Sequence, residues 1–436
     1  MKITSYNNNN NNNNDHIIIT HDIHSQVSPY FSSWQKSFGK VFVYWLGTEP
    51  FLYIADAELL NKISKEVAAK RWGKPSVFRN DRDPMFGSGL VMVEGNDWVR
   101  HRHIVAPAFN PINLKAMATN IVASTNKMIQ TWVFQHNSGN PVIDVERDIV
   151  ATAGEIIAIT TLGVGDHNAT NVFQKLRALQ ITLFNTNRYV GVPFGKYFKV
   201  IKTLEAKNLG KEIDELLLSI IEARKSTKGS HQSDLLGLLL QENGDKKLTM
   251  RELVDECKTF FFGGHETTAL SITWTLLLLA MHQDWQNQLR DEIQQMKWVM
   301  NEALRLYPPS PNVQRQARDD IQIDGLTVPK GTNMWIDVVG MHHDKELWGE
   351  DANEFKPERF MEDVNGGCKH KMGYLPFGFG GRMCVGRNLT FMEYKIVLTL
   401  LLSKFSFKLS PSYHHSPSIM LSLRPTHGLP LIVQPL

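Results

Sequence analysis

Residues 376–388 read PFGFGGRMCVGRN, a stretch with four glycines, two arginines and one cysteine that leads into a long apolar segment. A glycine-rich loop before a helix often binds phosphate, because the helix N-terminus offers free N–H groups. This stretch matches neither G-x-x-x-x-G-K-[ST] nor G-x-G-x-x-G. Zinc sites need further Cys or His at short spacing, and none flanks Cys384. The loop therefore presents either a cysteine buried in a turn or a single thiolate with a specific partner.

Two features of the loop favour a functional thiolate at Cys384. The predicted helix over about residues 387–402 points the positive end of its dipole at the sulfur, and Arg382 adds a positive charge. Both are expected to lower the pKa of the thiol. The glycines let the backbone fold tightly and lie close to a flat partner. Haem iron held by one cysteine thiolate has these requirements, and a structural turn is the alternative.

The composition describes an ordinary globular protein. The 436 residues are 42% apolar and 21% charged, with a net charge of +3. Such a chain can bury a sizeable core and lacks the strong positive field of a nucleic-acid-binding protein. Its three cysteines cannot make a disulfide framework. Cys257 is predicted to be a small buried hydrophobe in a helix, and Cys368 is predicted to lie in a polar loop.

The N-terminus shows neither a signal peptide nor a transmembrane segment. Eight consecutive asparagines occupy residues 7–14, and residues 1–20 are predicted to be a low-complexity, disordered segment. The longest uncharged stretch elsewhere, residues 267–281, is too short to span a bilayer and is predicted to be a buried core helix. Taken alone, the sequence predicts a soluble protein.

Hydrophobic spacing predicts a mainly helical protein with a small β portion. Thr249 and Glu252 fit a capping box that starts a long, all-round apolar helix over about residues 250–283. Two β-rich runs within residues 41–56 are separated by a Gly-Thr-Glu-Pro turn, a hairpin signal. Without a clear linker or repeat, residues 21–436 are predicted to form one domain. Its other predicted elements are a mostly helical region at 114–240, a helix over 298–307, short strands within 321–338, a helix over 387–402 and a β-like C-terminus at 418–436.

The sequence GGHETT at residues 263–268 interrupts the long helix with two glycines, which lower helix stability and so indicate a site. Glu266 and Thr267 place an acid beside an alcohol in an apolar helix, where a buried carboxylate is costly without a partner or a purpose. Such a pair can relay protons into a dry cavity. The alternative is a threonine that bonds its own helix carbonyl and a salt-bridged glutamate. His265 is predicted to be a core or channel residue and not a metal ligand.

Two further pairs of side chains share helix faces. Glu302 and Arg305 are spaced i, i+3 and can pair, which predicts a structural role. Trp98 and Arg102 are spaced i, i+4, and an indole N–H and a guanidinium both suit a carboxylate ligand. A surface cation–π pair is the alternative for Trp98 and Arg102.

Five motifs resemble those of the cytochrome P450 superfamily and follow one another in the superfamily's order. Similar flanking sequence extends over nearly the whole chain after about residue 20. The loop is similar to the superfamily's haem-binding signature. The matching residues are Trp98-x-x-x-Arg102, GGHETT at 263–268, Glu302-x-x-Arg305, PERF at 357–360 and Phe377-x-x-Gly380-x-Arg382-x-Cys384-x-Gly386. The resemblance implies one helical domain that encloses haem b, with Cys384 as the thiolate ligand of the iron.

The resemblance also implies roles for the other motif residues. Phe377, Gly380 and Gly386 would shape the haem-binding loop, and Glu266 with Thr267 would deliver protons for cleavage of iron-bound dioxygen. Arg359, in the PERF segment, would join Glu302 and Arg305 in a structural triad. The residues implied to contact the haem propionates are Trp98, Arg102, Arg315 and Arg382.

The nearest resemblance is to the plant clan that contains cytokinin trans-hydroxylases and gibberellin-modifying oxidases. It implies hydroxylation of a small lipophilic substrate, isoprenoid or plant-hormone-like, with O2 and electrons that NADPH–cytochrome P450 reductase supplies from NADPH. It also implies the endoplasmic reticulum membrane, on the cytoplasmic side, and reductase docking near the basic run at residues 100–103. The candidate substrate-lining residues are Phe261, Phe262, Pro311 and Val313, with ordinary core packing as the alternative.

The sequence departs from the superfamily in two places. The membrane anchor and proline-rich hinge of plant microsomal members are missing, and residues 295 and 296 are joined where the superfamily has a loop and a short helix. The direct join raises the question whether the helix bearing Glu302 still reaches its place. Two alternatives to a monooxygenase follow: a haem-free, non-catalytic product of a truncated gene, and a haem-thiolate rearrangement or dehydration enzyme that uses no O2. The Glu266–Thr267 pair argues against the second.

Overall fold

The structure is a computed structural model that describes residues 19–68, 72–163, 167–186, 192, 200–226, 234–241, 247–323 and 325–436. The segment 1–20, predicted to be disordered, lies outside these ranges except for its last two residues. Within the described ranges, helices make up most of the secondary structure and small sheets make up the rest. The fold class predicted from the hydrophobic spacing is therefore confirmed.

Helices from four to 32 residues long build the body of the fold. None of those in the described ranges combines the length and the hydrophobicity needed to cross a membrane. The predicted helix over 387–402 is present with the same ends. The helices are α1 (His24–Val27), α2 (Pro29–Phe38), α3 (Ala57–Ala68), α4 (Arg79–Phe86), α5 (Gly95–Val105), α6 (Pro111–Asn137), α7 (Val145–Leu162), α8 (His167–Thr186), α9 (Val200–Ser226), α10 (Leu235–Gln241), α11 (Met250–Met281), α12 (Gln283–Asp291), α13 (Met296–Leu306), α14 (Val338–His342), α15 (Lys345–Trp348) and α16 (Arg387–Leu402).

Short strands form the β portion. They are β1 (Val41–Leu46), β2 (Glu49–Ile54), β3 (Trp72–Gly73), β4 (Val142–Asp144), β5 (Asn312–Ala317), β6 (Ile321–Ile323), β7 (Leu326–Val328), β8 (Asn333–Asp337), β9 (Phe405–Leu409), β10 (Pro417–Met420), β11 (Ser422–Pro425) and β12 (Pro430–Pro435). The largest sheet has the order β1-β2-β8-β5-β3, and the predicted hairpin is its β1–β2 edge. β2 and β8 run parallel. The smaller sheets pair β6 with β7, β10 with β11, and β12 with both β4 and β9.

The long helix α11 is buried along most of its length. It begins with the predicted capping box. The Thr249 hydroxyl accepts from the Glu252 N–H at 3.2 Å, and the Glu252 carboxylate accepts from the Thr249 N–H at 2.8 Å. These two bonds satisfy N–H groups that the first turn of a helix otherwise leaves free, which explains why the helix begins here.

The two glycines in α11 do not break the helix. A Cβ atom on Gly264 would lie 2.4 Å from Cδ1 of Ile157 in α7, whereas one on Gly263 would meet no described atom within 4 Å. Gly264 therefore lets α7 pack closely against α11. Gly263 instead borders open space.

The direct join of residues 295 and 296 leaves the C-terminal half of the fold in place. A short 3-10 turn, Ile293–Gln295, leads from α12 straight into α13. The Gln286 side chain fastens α12 by donating to the Phe407 carbonyl at 3.0 Å. Met296, the first residue of α13, is buried. The shorter connection therefore still allows α13 to pack against α11 and α16.

Candidate active site

The cysteine loop at residues 376–388 closes on itself before α16 begins. The Cys384 N–H donates to the Phe377 carbonyl at 2.9 Å. Gly378 and Gly380 have φ angles of 72° and 63°, in the left-handed region that favours glycine. The Cys384 side chain is exposed. The loop therefore presents a thiol to accessible space and does not bury it in a turn.

The electrostatics of the thiol correct one prediction. Burial raises the pKa of the Cys384 thiol, although the N–H groups of Gly386 and Arg387 and the Arg102 guanidinium lower it. Although the side chain is exposed, the surrounding protein removes part of the water that would stabilise a thiolate, and this desolvation outweighs the helix end. The cations that act on the sulfur are Arg102 and Arg387, not the predicted Arg382. A metal ion bound to the sulfur would itself keep the thiol deprotonated.

Helix α5 brings Trp98 and Arg102 to the same loop, as their spacing predicts. The Arg102 guanidinium donates to the Met383 carbonyl at 2.8 Å. The Arg382 guanidinium lies 5.0 Å from the centroid of the Trp98 ring. A Cβ atom on Gly381 would lie 3.3 Å from the same ring, so the loop backbone lies directly against the indole.

Arg102, Arg315 and Arg382 each donate to a backbone carbonyl, and none of them forms an ion pair within the described ranges. Arg315 is 4% exposed, and its Nε has no hydrogen-bond partner in that part of the chain. Burial, together with the nearby Arg382, lowers the pKa of Arg315 to about 10. A cation that is removed from water without an anionic partner costs free energy, unless a bound ligand supplies the anion. Two carboxylates, such as the propionates of haem, fit this requirement.

One face of α11 is open at GGHETT, residues 263–268, which we call the oxygen-activation segment. Gly263 is exposed and Thr267, one turn further, is half-buried, although most of the helix is buried. The Thr267 hydroxyl donates to the Gly263 carbonyl at 2.8 Å, which is the helix bond considered as the alternative for this residue. The space next to Gly263 leaves room for a ligand against the helix.

Glu266 is buried and held by partners that the sequence did not indicate. Its Oε1 accepts from the Gln180 amide at 3.0 Å and from the Ser422 hydroxyl, and the Arg424 guanidinium lies 3.9 Å away. Its Oε2 has no hydrogen-bond partner in the described ranges. Helix α8 and strand β11 therefore position the carboxylate, and no bond joins it to Thr267.

The neighbouring His265 is bonded within its own helix. Its Nδ1 lies 2.5 Å from the Phe261 carbonyl, and its ring packs edge-on against Phe173. Burial lowers the pKa of His265. In the described parts of the chain, no group of three His, Cys, Asp or Glu side chains is arranged to hold a metal ion.

The candidate substrate-lining residues differ in exposure. Phe261 is fully buried, whereas Phe262 is half-buried and packs edge-on against Phe86, with ring centroids 5.1 Å apart. Pro311 is buried and its carbonyl accepts from Val338, while Val313 is half-buried. Phe262 and Val313 are therefore the two candidates that still offer side-chain surface.

The charged triad is assembled in the core. Arg305 and Glu302 are fully buried and joined by two hydrogen bonds of 2.7 and 2.8 Å. Nε of Arg359 lies 3.6 Å from Oε1 of Glu302, and the Lys356 N–H donates to the same oxygen at 2.9 Å. Arg305 also donates to three backbone carbonyls between residues 342 and 354. The triad thus ties α13 to the segment that precedes the cysteine loop.

These features together fit haem: one accessible thiol, guanidinium groups without anions, and open space against α11. A cytochrome P450 family model matches residues 16–429. The chain belongs to the cytochrome P450 family. Cytokinin hydroxylase from Arabidopsis thaliana is 35% identical to this P450, over 96% of the present chain and 86% of the relative. Cytochrome P450 714A2 from the same plant is 33% identical, over 94% and 85%.

A solved structure supports the fold. Retinoic acid-bound cyanobacterial CYP120A1 superposes on this P450 with a TM-score of 0.81 at 21% identity, covering 95% of the present chain and 96% of the other. The sequence alignment with the cytokinin hydroxylase runs over 450 positions, more than the 436 residues of this P450. The relative therefore carries residues that this P450 lacks.

Family membership establishes the class of chemistry. This P450 is an oxidoreductase of the monooxygenase type, with a haem whose iron is ligated by a cysteine thiolate. Its electrons come from NADPH through a reductase. The family generally works with O2 and NADPH–cytochrome P450 reductase, and the plant relatives are generally anchored in the endoplasmic reticulum.

One buried carboxyl group on α16 was missed from the sequence. Glu393 is 2% exposed, and its Oε1 has no hydrogen-bond partner in the described ranges. Its surroundings are mostly apolar and include Met128, Ile149 and Ile272. Desolvation raises the pKa of Glu393 to about 8. The only signal in the sequence is its position within the apolar run LTFMEYKIVL.

Glu393→Gln is expected to remove a pH-dependent loss of stability. The folded protein keeps this proton up to about pH 8, whereas the unfolded chain releases it near pH 4.5. The free energy of unfolding therefore falls as pH rises across that window. At pH 8 the variant should be more stable by about 4 kcal/mol, and near pH 4 the two proteins should be equal. Urea unfolding at both pH values measures the free energy of unfolding, and Glu362→Gln, at an exposed position, is the control. If the stability of Glu393→Gln depended on pH as the wild type's does, the Glu393 side chain would not be protonated in the folded protein.

Proposed function

We propose that this P450 hydroxylates a small lipophilic substrate, isoprenoid or plant-hormone-like in character, and that Cys384 is the thiolate ligand of its iron. The observation that carries the proposal is the exposed Cys384 thiol beside guanidinium groups that lack anions. The other cysteines do not fit this role. Cys257 is buried inside α11, and Cys368 packs against the cluster around Trp348.

The loop residues give Cys384 its position. Phe377 accepts the hydrogen bond from the Cys384 N–H, and Gly380 provides the left-handed backbone needed for the turn. Gly386 lies beside the sulfur, since a Cβ atom there would be 3.9 Å from Sγ. In the proposal these three residues fix the direction in which the sulfur points.

Trp98, Arg102, Arg315 and Arg382 are proposed to bind the two haem propionates. The support is charge balance, because none of the three arginines forms an ion pair with a described residue and Arg315 is removed from water. Thiolate-ligated haem, when bound, supplies the chemistry of O2 activation and favours O–O cleavage. The arginines neutralise the propionates, and Trp98 adds an N–H donor on the same side of the loop.

Glu266 and Thr267 are proposed to hold and move protons. Gln180 and Ser422 fix Oε1 of Glu266, which leaves Oε2 as the atom free to carry a proton. The half-buried Thr267 hydroxyl lies at the open face of α11, where it can pass a proton to a ligand. An acid–alcohol pair serves a reaction that uses O2, so it favours hydroxylation over a rearrangement without O2.

The substrate class is supported by the relatives and by the partly exposed apolar side chains among the candidate lining residues. Relatives at about 35% identity include proteins named cytokinin hydroxylase. Phe262 and Val313 expose part of their apolar surface, and Phe86 packs against Phe262. Apolar lining of this kind suits a small lipophilic molecule with few polar groups.

We further infer that residues 21–436 form one catalytic domain that works at the cytoplasmic side of the endoplasmic reticulum membrane. The family match over residues 16–429 supports the domain, and Tyr30, Phe38 and Trp45 expose aromatic side chains suited to a membrane interface. NADPH–cytochrome P450 reductase is the proposed electron donor. Exposed cations next to the cysteine loop, such as Arg387, suit an acidic partner.

The absorption spectrum of the purified, reduced protein under carbon monoxide tests the proposal. A haem ligated by thiolate should give the red-shifted band from which the family takes its name, and substrate should then stimulate NADPH oxidation in the presence of the reductase. Absence of any haem absorbance would overturn the enzyme proposal and favour the haem-free alternative. Turnover that needs neither NADPH nor O2 would favour the rearrangement enzyme.

A further inference from the structure

His101 occupies a fully buried position on α5, between Trp98 and Arg102 in the sequence. Its Nδ1 lies 2.6 Å from Oε1 of Glu256, and its Nε2 lies 3.2 Å from Oε1 of Glu252. Both carboxylates belong to the first turns of α11 and are spaced i, i+4. One imidazole ring therefore bridges the helix that carries the propionate-binding side chains and the long central helix.

The charges around His101 favour its protonated form. A ring nitrogen can bond a carboxylate oxygen through a proton on the nitrogen, and here both nitrogens have such partners, so the imidazolium satisfies both. The charged groups that face the ring are Arg100 on α5 and Glu252 and Glu256 on α11. Arg100 also bonds Glu252, whose other oxygen accepts from the N-cap of α11 at Thr249. Glu256 is fully buried, and His101 is the cation in direct contact with it.

We propose that His101 is a positioning residue for the haem: as an imidazolium, it fixes α5 to α11 and so holds Trp98 and Arg102 against the cysteine loop. Helix α11 also carries Gly263 and Thr267 at its open face. The His101–Glu256 contact thus fixes the position of the propionate-binding side chains relative to the oxygen-activation segment. This inference rests on the haem binding proposed above, and it adds a pH-dependent control of how tightly the haem is held.

The direction of the pH effect follows from the same contacts. Burial alone would lower the pKa of His101, but the hydrogen bonds and charges of Glu256 and Glu252 raise it above its ordinary value of 6.5. The bridge is therefore complete where His101 is protonated and Glu256 is ionised, and it is lost as pH rises through the raised pKa of His101. Burial raises the pKa of Glu256, and the His101 contact opposes that rise. Loss of the bridge leaves α5 less firmly docked, so haem is expected to leave faster at alkaline pH.

The experiment measures the rate at which haem passes from the loaded protein to excess apomyoglobin between pH 6 and 9. In the wild type the rate should rise with pH, by about tenfold for each unit by which the contacts with Glu252 and Glu256 raise the pKa of His101 above its ordinary value. His101→Gln should release haem at the fast rate at every pH. His427→Gln, an exposed histidine in a distant turn, should behave like the wild type. Glu256→Gln removes one raising contact and should move the midpoint of the profile to lower pH.

Hydrogen exchange of residues 95–105 gives a readout without haem. At pH 6 the haem-free His101→Gln protein should lose protection in α5, while α16 keeps it. A loaded wild-type protein whose haem release does not change with pH would overturn the inference, even if no His101 variant folds. A His101→Gln protein with the wild-type slope would also overturn it. A wild-type protein with no haem absorbance would instead overturn the proposed function, and the inference with it.

Discussion

Cys384→Ala is expected to abolish the red-shifted carbon monoxide band of the reduced protein and all NADPH-dependent hydroxylation. The loss should be complete, because neither of the other cysteines lies in the cysteine loop. Cys257 is buried inside α11, and Cys368 packs against the cluster around Trp348. The fold should survive. The Cys384 side chain is exposed and forms no hydrogen bond to another described side chain, so the change leaves no cavity in the core.

Spectra of the matched variants separate ligation from general damage. Cys368→Ala should keep the band, since its sulfur contacts only the neighbouring apolar cluster. Cys384→Ser should keep the volume of the side chain but not the thiolate, so its band should move to the shorter wavelength of a haem without thiolate ligation. A red-shifted band that persists in Cys384→Ala would show that another residue ligates the iron.

Glu302→Gln is expected to destabilise the protein by about 3–5 kcal/mol, because it leaves the fully buried Arg305 without its countercharge. Arg359, which shares the same carboxylate, loses its contact with Oε1 as well. Most of the variant should therefore be insoluble or unfolded at growth temperature. The free energy of unfolding in urea, measured on whatever soluble protein remains, quantifies the loss.

Two controls test whether charge burial is the cause. Glu354→Gln changes a glutamate in the same region, but its side chain is 62% exposed, so the effect should stay below about 1 kcal/mol. Glu302→Gln combined with Arg305→Met removes both buried charges, and it should recover part of the stability that the single variant loses. A soluble Glu302→Gln protein with wild-type stability would contradict the structural role of the triad.

Local patterns in the sequence predicted much of the fold and many of the site residues. The capping box at Thr249 predicted where α11 begins, and the apolar run that follows predicted that the helix is buried. Both features could be predicted because they depend on residues close together in the sequence. The i, i+4 spacing of Trp98 and Arg102 predicted that they share a face of α5, and both side chains contact the cysteine loop. The i, i+3 spacing of Glu302 and Arg305 predicted their pairing for the same reason.

Properties that depend on distant segments could not be predicted. The partners of Glu266 come from Gln180, 86 positions earlier, and from Ser422, 156 positions later. The pKa of Cys384 was predicted in the wrong direction, because the helix end is visible in the sequence and the desolvation by the surrounding protein is not. Glu393 was missed because its burial arises from α6, α7 and α11 packing around α16.

The parallel pairing of β2 with β8 has a consequence for the order in which the protein folds. Residues 51–54 pair early with β1, but they gain their second neighbouring strand only when residues 333–336 have been synthesised, and β4 pairs with β12, the last strand of the chain. Contacts between such distant segments form slowly, because a long loop must close first. On the ribosome, the β2 edge of the hairpin therefore remains unpaired for most of translation. This interval is when the nascent chain needs a chaperone or a membrane surface most.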